Sequence, residues 1–317
     1  MRALQRTLTL LTLACTSWAC DVGSSSPDVG GAGAPGSAGA PIAGGASLAA
    51  GMPGAAGAPG AAGAAGASVG TAGAAPGTSG QFSLLYRDDF EQLDSSRWQL
   101  MTHSWDTNLA LFSAETATIE DGQLVIRLLR APENTVDDSN LPKPYLGAEV
   151  RSIDTLTYGR VRARMKFAQG SAVVSSLVTI YTPWPADDWN ELDIECLGSA
   201  PAKLQFNTMV YTGAPTTPPV TTPVTPTQEP FKPTLAFDPT ADFHVYEMEW
   251  TPASARFSVD GALLYTWTKH IARLKLPQNV LLTIWASSTA SWAGPVGEDT
   301  ASAQARYDWV ELYTYQP

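Results

Sequence analysis

Trp189-Asn190-Glu191-Leu192-Asp193-Ile194-Glu195-Cys196-Leu197-Gly198 is the stretch whose reading decides the fold. Glu191, Asp193 and Glu195 alternate with Leu192, Ile194 and Cys196. A period of two belongs to a β-strand, whose successive side chains point to opposite faces. One face is apolar and suits a core, while the other carries three carboxylates in succession. Acidic side chains are poor strand formers and neighbouring like charges repel, so a strand that gathers them has a use for them.

One such use is glycosidic bond cleavage, which needs one carboxylate and one carboxylic acid on either side of the bond. Crowded carboxyl groups cannot all ionise at neutral pH, so such a cluster holds its members in different protonation states. A calcium cluster and a solvated acidic face are the competing readings, although calcium loops are more often flexible and glycine-containing. Glu191 and Glu195 lie about 13 Å apart along a straight strand at ~3.3 Å per residue, so spacing alone leaves retention or inversion open.

Outside this strand, the flanking residues repeat the pattern. Arg160, Arg162, Arg164 and Lys166 alternate with Val161, Ala163, Met165 and Phe167, which reads as a half-buried strand with a solvated basic row. Phe82, Leu84 and Tyr86 alternate as an edge strand, and Lys203–Asn207, Phe243–Trp250 and Ala255–Val259 read as further strands. Asp121-Gly122 and Asp260-Gly261 between alternating runs are hairpin turns. Gly213 to Pro233 is dense in Pro and Thr; proline removes ladder donors, so this is no central strand but a semi-extended loop near a cleft edge or a surface loop. Many short strands with frequent turns and no long helical period give an all-β sandwich.

The acid strand resembles the E-x-D-x-E signature of glycoside hydrolase family 16, in the form with no residue inserted before the second Glu. The resemblance extends through GAEVRSIDTLTYGRVRARMKF upstream and through AKLQFN, FHVYEMEWTPASARFSVDG and ARYDWVELY downstream, and so covers residues 82 to 315. Within that family the chain is similar to bacterial lichenases, the β-1,3-1,4-glucanases; plant xyloglucan transferases share the same motif. The resemblance implies a jelly roll of two antiparallel sheets whose concave face holds an open groove. It implies endo cleavage with retention, with Glu191 as nucleophile, Glu195 as general acid/base and Asp193 assisting. It implies sugar contacts from Arg151, Trp189, Asn207, Trp285 and Trp292. His103, Trp105 and Asn108 would form one wall of the cleft. Met209 stands where lichenases carry Tyr, with Tyr211 as the substitute. No cofactor is required for this chemistry, but Asp308 matches a ligand of a structural calcium on the convex face. The same resemblance leaves two alternatives: a transglycosylase acting on xyloglucan or another glucan, and a non-catalytic carbohydrate-binding sandwich.

A net charge of −11 argues against a nucleic-acid partner. The resemblance implies a polysaccharide as the partner, bound by a monomer. Arg2 and Arg6 followed by the apolar run Leu8–Ala14 read as a secretion signal over residues 1–20, too short to span a bilayer as a helix. Cys20 is the candidate lipidation site, which would make the protein a cell-envelope lipoprotein rather than a secreted one. Residues 21–80 are Gly, Ala, Ser and Pro with almost no bulky apolar side chain, the composition of a disordered tether. Residues 81–317 are the catalytic domain. Its single cysteine, Cys196, falls on the apolar strand face and reads as a core thiol.

Overall fold

The computed structural model describes residues 81–182, 188–200, 204–212, 227–228 and 230–317. The expected signal, the tether, Cys20 and most of the Pro/Thr-rich stretch lie outside the described residues, as do the side chains of Asp188, Tyr211 and Thr212. The strands are β1 (Gln81–Asp88), β2 (Trp98–Leu100), β3 (Ala110–Phe112), β4 (Ala117–Glu120), β5 (Gln123–Arg130), β6 (Tyr145–Leu156), β7 (Gly159–Lys166) and β8 (Val173–Ile180). They continue with β9 (Asp188–Leu197), β10 (Leu204–Thr212), β11 (Thr227–Gln228), β12 (His244–Trp250), β13 (Ala255–Val259), β14 (Ala262–Trp267), β15 (Gln278–Ala286) and β16 (Ala303–Gln316).

They hydrogen-bond in the order β11-β10-β9-β8-β15-β6-β5-β16-β7-β12-β13-β14, with β1 against β16, β2 and β3 against β6, and β4 against β5. Pairing is antiparallel except between β3 and β6. β5 and β6 share only two residue pairs, Leu129 with Leu146 and Arg130 with Tyr145, and there the path turns from one layer into the other. Side chains meet across the layers: Phe206 of β10 stacks on Phe257 of β13 at 5.1 Å, and the Tyr307 hydroxyl of β16 donates to the Ser176 carbonyl of β8 at 2.8 Å. The fold is thus a β-sandwich, each layer burying one face of its strands.

Both Asp-Gly hairpins form. Asp121 and Gly122 have φ of 53° and 68°, and Asp260 and Gly261 have 49° and 77°, the left-handed pair a tight two-residue turn demands. In the opening segment Asp88 is the acid built into the fold: its carboxylate accepts from the Phe90 N–H at 2.9 Å and from the Trp98 indole at 2.8 Å, while Asp89 pairs with Arg87 at the surface.

The β7 alternation holds, with Val161, Ala163 and Met165 fully buried. Its basic row is not simply solvated, because flanking strands set acids opposite it. Arg160 meets Glu249 at 2.5 Å, Arg162 meets Glu311 at 2.8 Å and Glu247 at 3.1 Å, and Arg164 meets Asp308 at 2.7 Å. Asp308, the residue the resemblance offers to a structural calcium, thus has the Arg164 guanidinium beside its carboxylate, with both side chains partly open to solvent. Among the described residues no group of three or more His, Cys, Asp or Glu side chains is gathered to hold a metal ion, although calcium also takes main-chain carbonyls.

Candidate active site

β9 runs between β8 and β10. Leu192, Ile194 and Cys196 are fully buried in the core, so Glu191, Asp193 and Glu195 necessarily face the other way. Glu191 and Glu195 are partly exposed, whereas Asp193 between them is 4% exposed. Register decides what stands beside each acid. Glu195 lies in a row with Gln205 of β10, Ser176 of β8, Thr283 of β15 and Glu149 of β6. Asp193 shares its row with Asn207, Val178, Leu281 and Arg151, and β2 adds Gln99. Glu191 stands between Met209 and Ile180. Tyr211 is paired by its backbone with Trp189.

The acids occupy unequal surroundings. The Trp189 indole N–H donates to Glu191 Oε2 at 2.6 Å, which side chains two residues apart on a strand can do. Burial pushes the Glu191 carboxyl up to about 7, and hydrogen bonds from Trp189 and Asp193 hold it from rising further. Burial raises Glu195 to about 8, with the Glu191 charge adding to the effect. Burial also raises Asp193 well above the carboxylate range, followed by the charges of Glu191 and Glu195. The contact between Asp193 and Glu191 lowers Glu191 and raises Asp193, so it favours the proton on the Asp193 side. Glu191 is thus held down by two neighbours, beside a Glu195 carboxyl that is held higher.

Gln205 links Glu195 to the aromatic wall: its amide N–H reaches Glu195 Oε2 at 3.4 Å, and its carbonyl accepts from the Trp292 indole at 3.2 Å. Trp285 lies 5.8 Å from Trp292 and 5.0 Å from Trp105, centroid to centroid, and Trp105 in turn packs edge-on against Phe112 and His103. Trp285 is 9% exposed, while Trp292 and Trp105 keep more of their surface open. Asn207 is 5% exposed, and its side-chain carbonyl accepts from the Thr208 N–H. Arg151 is bound to Glu149 at 2.5 Å, and His103 approaches the same carboxylate at 3.4 Å. Burial raises Glu149, against the pull of Arg151; burial and Arg151 both lower His103, keeping it neutral.

The structure thus brings Arg151, Trp189, Asn207, Trp285 and Trp292 to the acid-bearing face. It separates Asn108 from that group: this residue is fully buried, and its side-chain carbonyl caps the Ala110 N–H at 2.8 Å, so it packs a loop. Gln205 and Glu149 were missed. Each stands two residues before a named site residue, Asn207 or Arg151, so strand parity puts it on the same face, but only register shows that it stands in the row of Glu195.

Comparison with known proteins agrees with this geometry. The model for glycosyl hydrolases family 16 matches residues 105–311. A β-glucanase of Fibrobacter succinogenes is 32% identical over 181 residues, which is 55% of this chain and 48% of that protein. A β-glucanase of Acetivibrio thermocellus is 29% identical over 229 residues, 71% of this chain and 61% of that one. The chain therefore spans about half to three fifths of the length of these relatives. Among solved structures, a prokaryotic β-1,3-1,4-glucanase (lichenase) from a mouse hindgut metagenome matches with a TM-score of 0.60 at 28% identity, over 72% of this chain and 97% of that one. The Bacillus licheniformis β-glucanase matches with 0.61 at 25% identity, over 73% and 98%. The matched span holds the whole acid-bearing strand and the residues across the sheet from it, and the chain belongs to glycosyl hydrolases family 16.

Proposed function

We propose that this protein hydrolyses internal bonds of a β-glucan, mixed-linkage β-1,3-1,4-glucan first and β-1,3-glucan second, with retention of configuration. The observation that carries this reading is the unequal environment of the three acids on β9. Glu191 attacks the anomeric carbon as a carboxylate while Glu195 gives its proton to the departing glycosidic oxygen. The resulting glycosyl ester on Glu191 is then opened by water, whose proton returns to Glu195. Asp193, as hydrogen-bond donor to Glu191, orients the nucleophile and withdraws charge from it in the resting state. Trp292, Trp285 and Trp189 offer flat apolar faces for sugar rings, and Arg151 and Asn207 offer polar contacts to hydroxyls. The substrate class is supported by the relatives' description as β-glucanases and lichenase. No cofactor enters these steps. The basic-then-apolar start of the chain and the Gly/Ala-rich stretch after Cys20 support action outside the cell, free or on a lipid anchor.

The test is release of reducing ends from lichenan, laminarin and xyloglucan by wild type and by Glu191→Gln, with anomeric NMR of the first product. Release by wild type alone, with the β-anomer formed first, is the expected result. Turnover by the mutant, or an initial α-anomer, would refute the assignment.

A further inference from the structure

The segment between β5 and β6 closes on itself around one lysine. Asp137 Oδ1 accepts from the N–H groups of Ser139 and Leu141 at 2.9 and 3.0 Å, and the Lys143 N–H bonds the Thr135 carbonyl at 2.9 Å. Lys143 is 2% exposed. A buried ammonium needs a partner for each of its three protons, and these are found. Nζ lies 3.1 Å from Asp137 Oδ2, 2.8 Å from the Trp105 carbonyl and 2.7 Å from the Asn108 carbonyl. Only the first partner belongs to its own segment. The other two are main-chain atoms of the turn that carries His103 and Trp105 into the aromatic wall. That turn is closed by the Asn108 N–H on the Trp105 carbonyl at 3.0 Å, so two of its carbonyls converge on the ammonium.

We propose that Lys143 is a positioning residue for carbohydrate binding: its ammonium, neutralised by Asp137, sets the height and tilt of Trp105 and so the shape of the wall formed with Trp285 and Trp292. A neutral side chain of equal volume would take one donor from each carbonyl, leaving the Trp105 carbonyl only the Asn108 N–H at 3.0 Å and the Asn108 carbonyl only the long Ser104 hydroxyl contact at 3.4 Å. These buried, under-satisfied carbonyls would shift toward water, and Trp105 would move with them. Lys143 touches no acid of β9, so its effect falls on binding and not on bond cleavage. The identity of the ligand rests on the β-glucanase reading above; the contact itself does not.

Two variants test this. Lys143→Met removes the donor. Asp137→Asn keeps the turn acceptor and leaves the ammonium on both carbonyls. For Lys143→Met, KM for lichenan rises about three- to tenfold, the worth of one aromatic pair, with kcat within about twofold. The far-UV circular dichroism exciton couplet of the Trp105–Trp285 pair, whose rings lie 5.0 Å apart, shrinks in parallel. Asp137→Asn lowers the melting temperature but leaves KM and the couplet unchanged. If Lys143→Met does not fold, the double variant with Asp137→Asn removes both charges and is read in the same way. An equal KM rise in both single variants, or an unchanged couplet in Lys143→Met, overturns the proposal. If wild type cleaves no glucan, the β-glucanase reading fails, and the couplet still decides the role of Lys143.

Discussion

Glu191 and Glu195 differ by what their neighbours donate, and that difference predicts how activity depends on pH. Bond cleavage needs Glu191 ionised and Glu195 protonated. With the two carboxyls raised to about 7 and about 8, kcat/KM is a bell with its acid limb from Glu191 and its alkaline limb from Glu195. Because the three acids interact, the limbs report the cluster and not isolated groups. Glu195→Gln removes the alkaline limb and lowers kcat by about 10²- to 10⁴-fold on substrates with poor leaving groups, as pH-rate profiles would show. Trp189→Phe keeps the ring but removes the 2.6 Å donor to Glu191. A lost hydrogen bond to a charged group raises that carboxyl, so the acid limb moves up by about one pH unit. A limb that stays in place would show that the indole does not tune Glu191. The acids could be read from alternation alone. Gln205 and Glu149 could not be ranked that way, because a polar residue in a strand has many buried uses. The ion pair of Asp308 could not be read from the sequence, because its partner, Arg164, lies 144 residues away and only strand register brings the two together.

At the scale of elements, β6 is the most constrained strand, since it takes β15, β2, β3 and β5 as neighbours at different points along its length. Gly147 marks the tightest point: a Cβ there would lie 2.5 Å from the Ile284 carbonyl and 3.2 Å from the Ala110 side chain. Backbone on one side and a packed methyl group on the other leave nothing that can yield cheaply. Gly147→Ala therefore costs about 1–3 kcal/mol by overpacking and lowers Tm by about 5 °C, measurable by calorimetry. An unchanged Tm would mean that β15 can move away from β6. The basic row of β7 teaches the complementary lesson. Its alternation correctly gave a half-buried strand, but its meaning depended on β12 and β16, which supply Glu247, Glu249, Asp308 and Glu311 as counter-charges.

Over the whole molecule, the acid cluster strains the fold it serves. Carboxyls raised in the folded state bind protons more tightly there than in the unfolded chain, where Glu titrates near 4.5. Their favourable contribution is present below that value and is lost as pH rises through about 7 and 8. Wild-type Tm should fall between about pH 4.5 and pH 8 and change little from this source above it. Glu195→Gln should raise Tm by a few degrees at pH 9, about 2–4 °C per kcal/mol for a domain of this size, and change it little at pH 5. Thermal scans at both pH values check this; equal shifts at both would show that burial of the Glu195 charge is not the source of the penalty.

Local order along the chain was enough to determine the strands, the two Asp-Gly turns, the apolar and acidic faces of β9 and the three acids themselves, because strand parity and turn dihedrals are properties of neighbouring residues. Only the tertiary structure decided that Gln205 and Glu149 flank Glu195's row, that Arg164 claims Asp308 and that Lys143 holds the Trp105 turn. These contacts join residues far apart in sequence, and the register of distant strands and the closing of layers and loops bring them together.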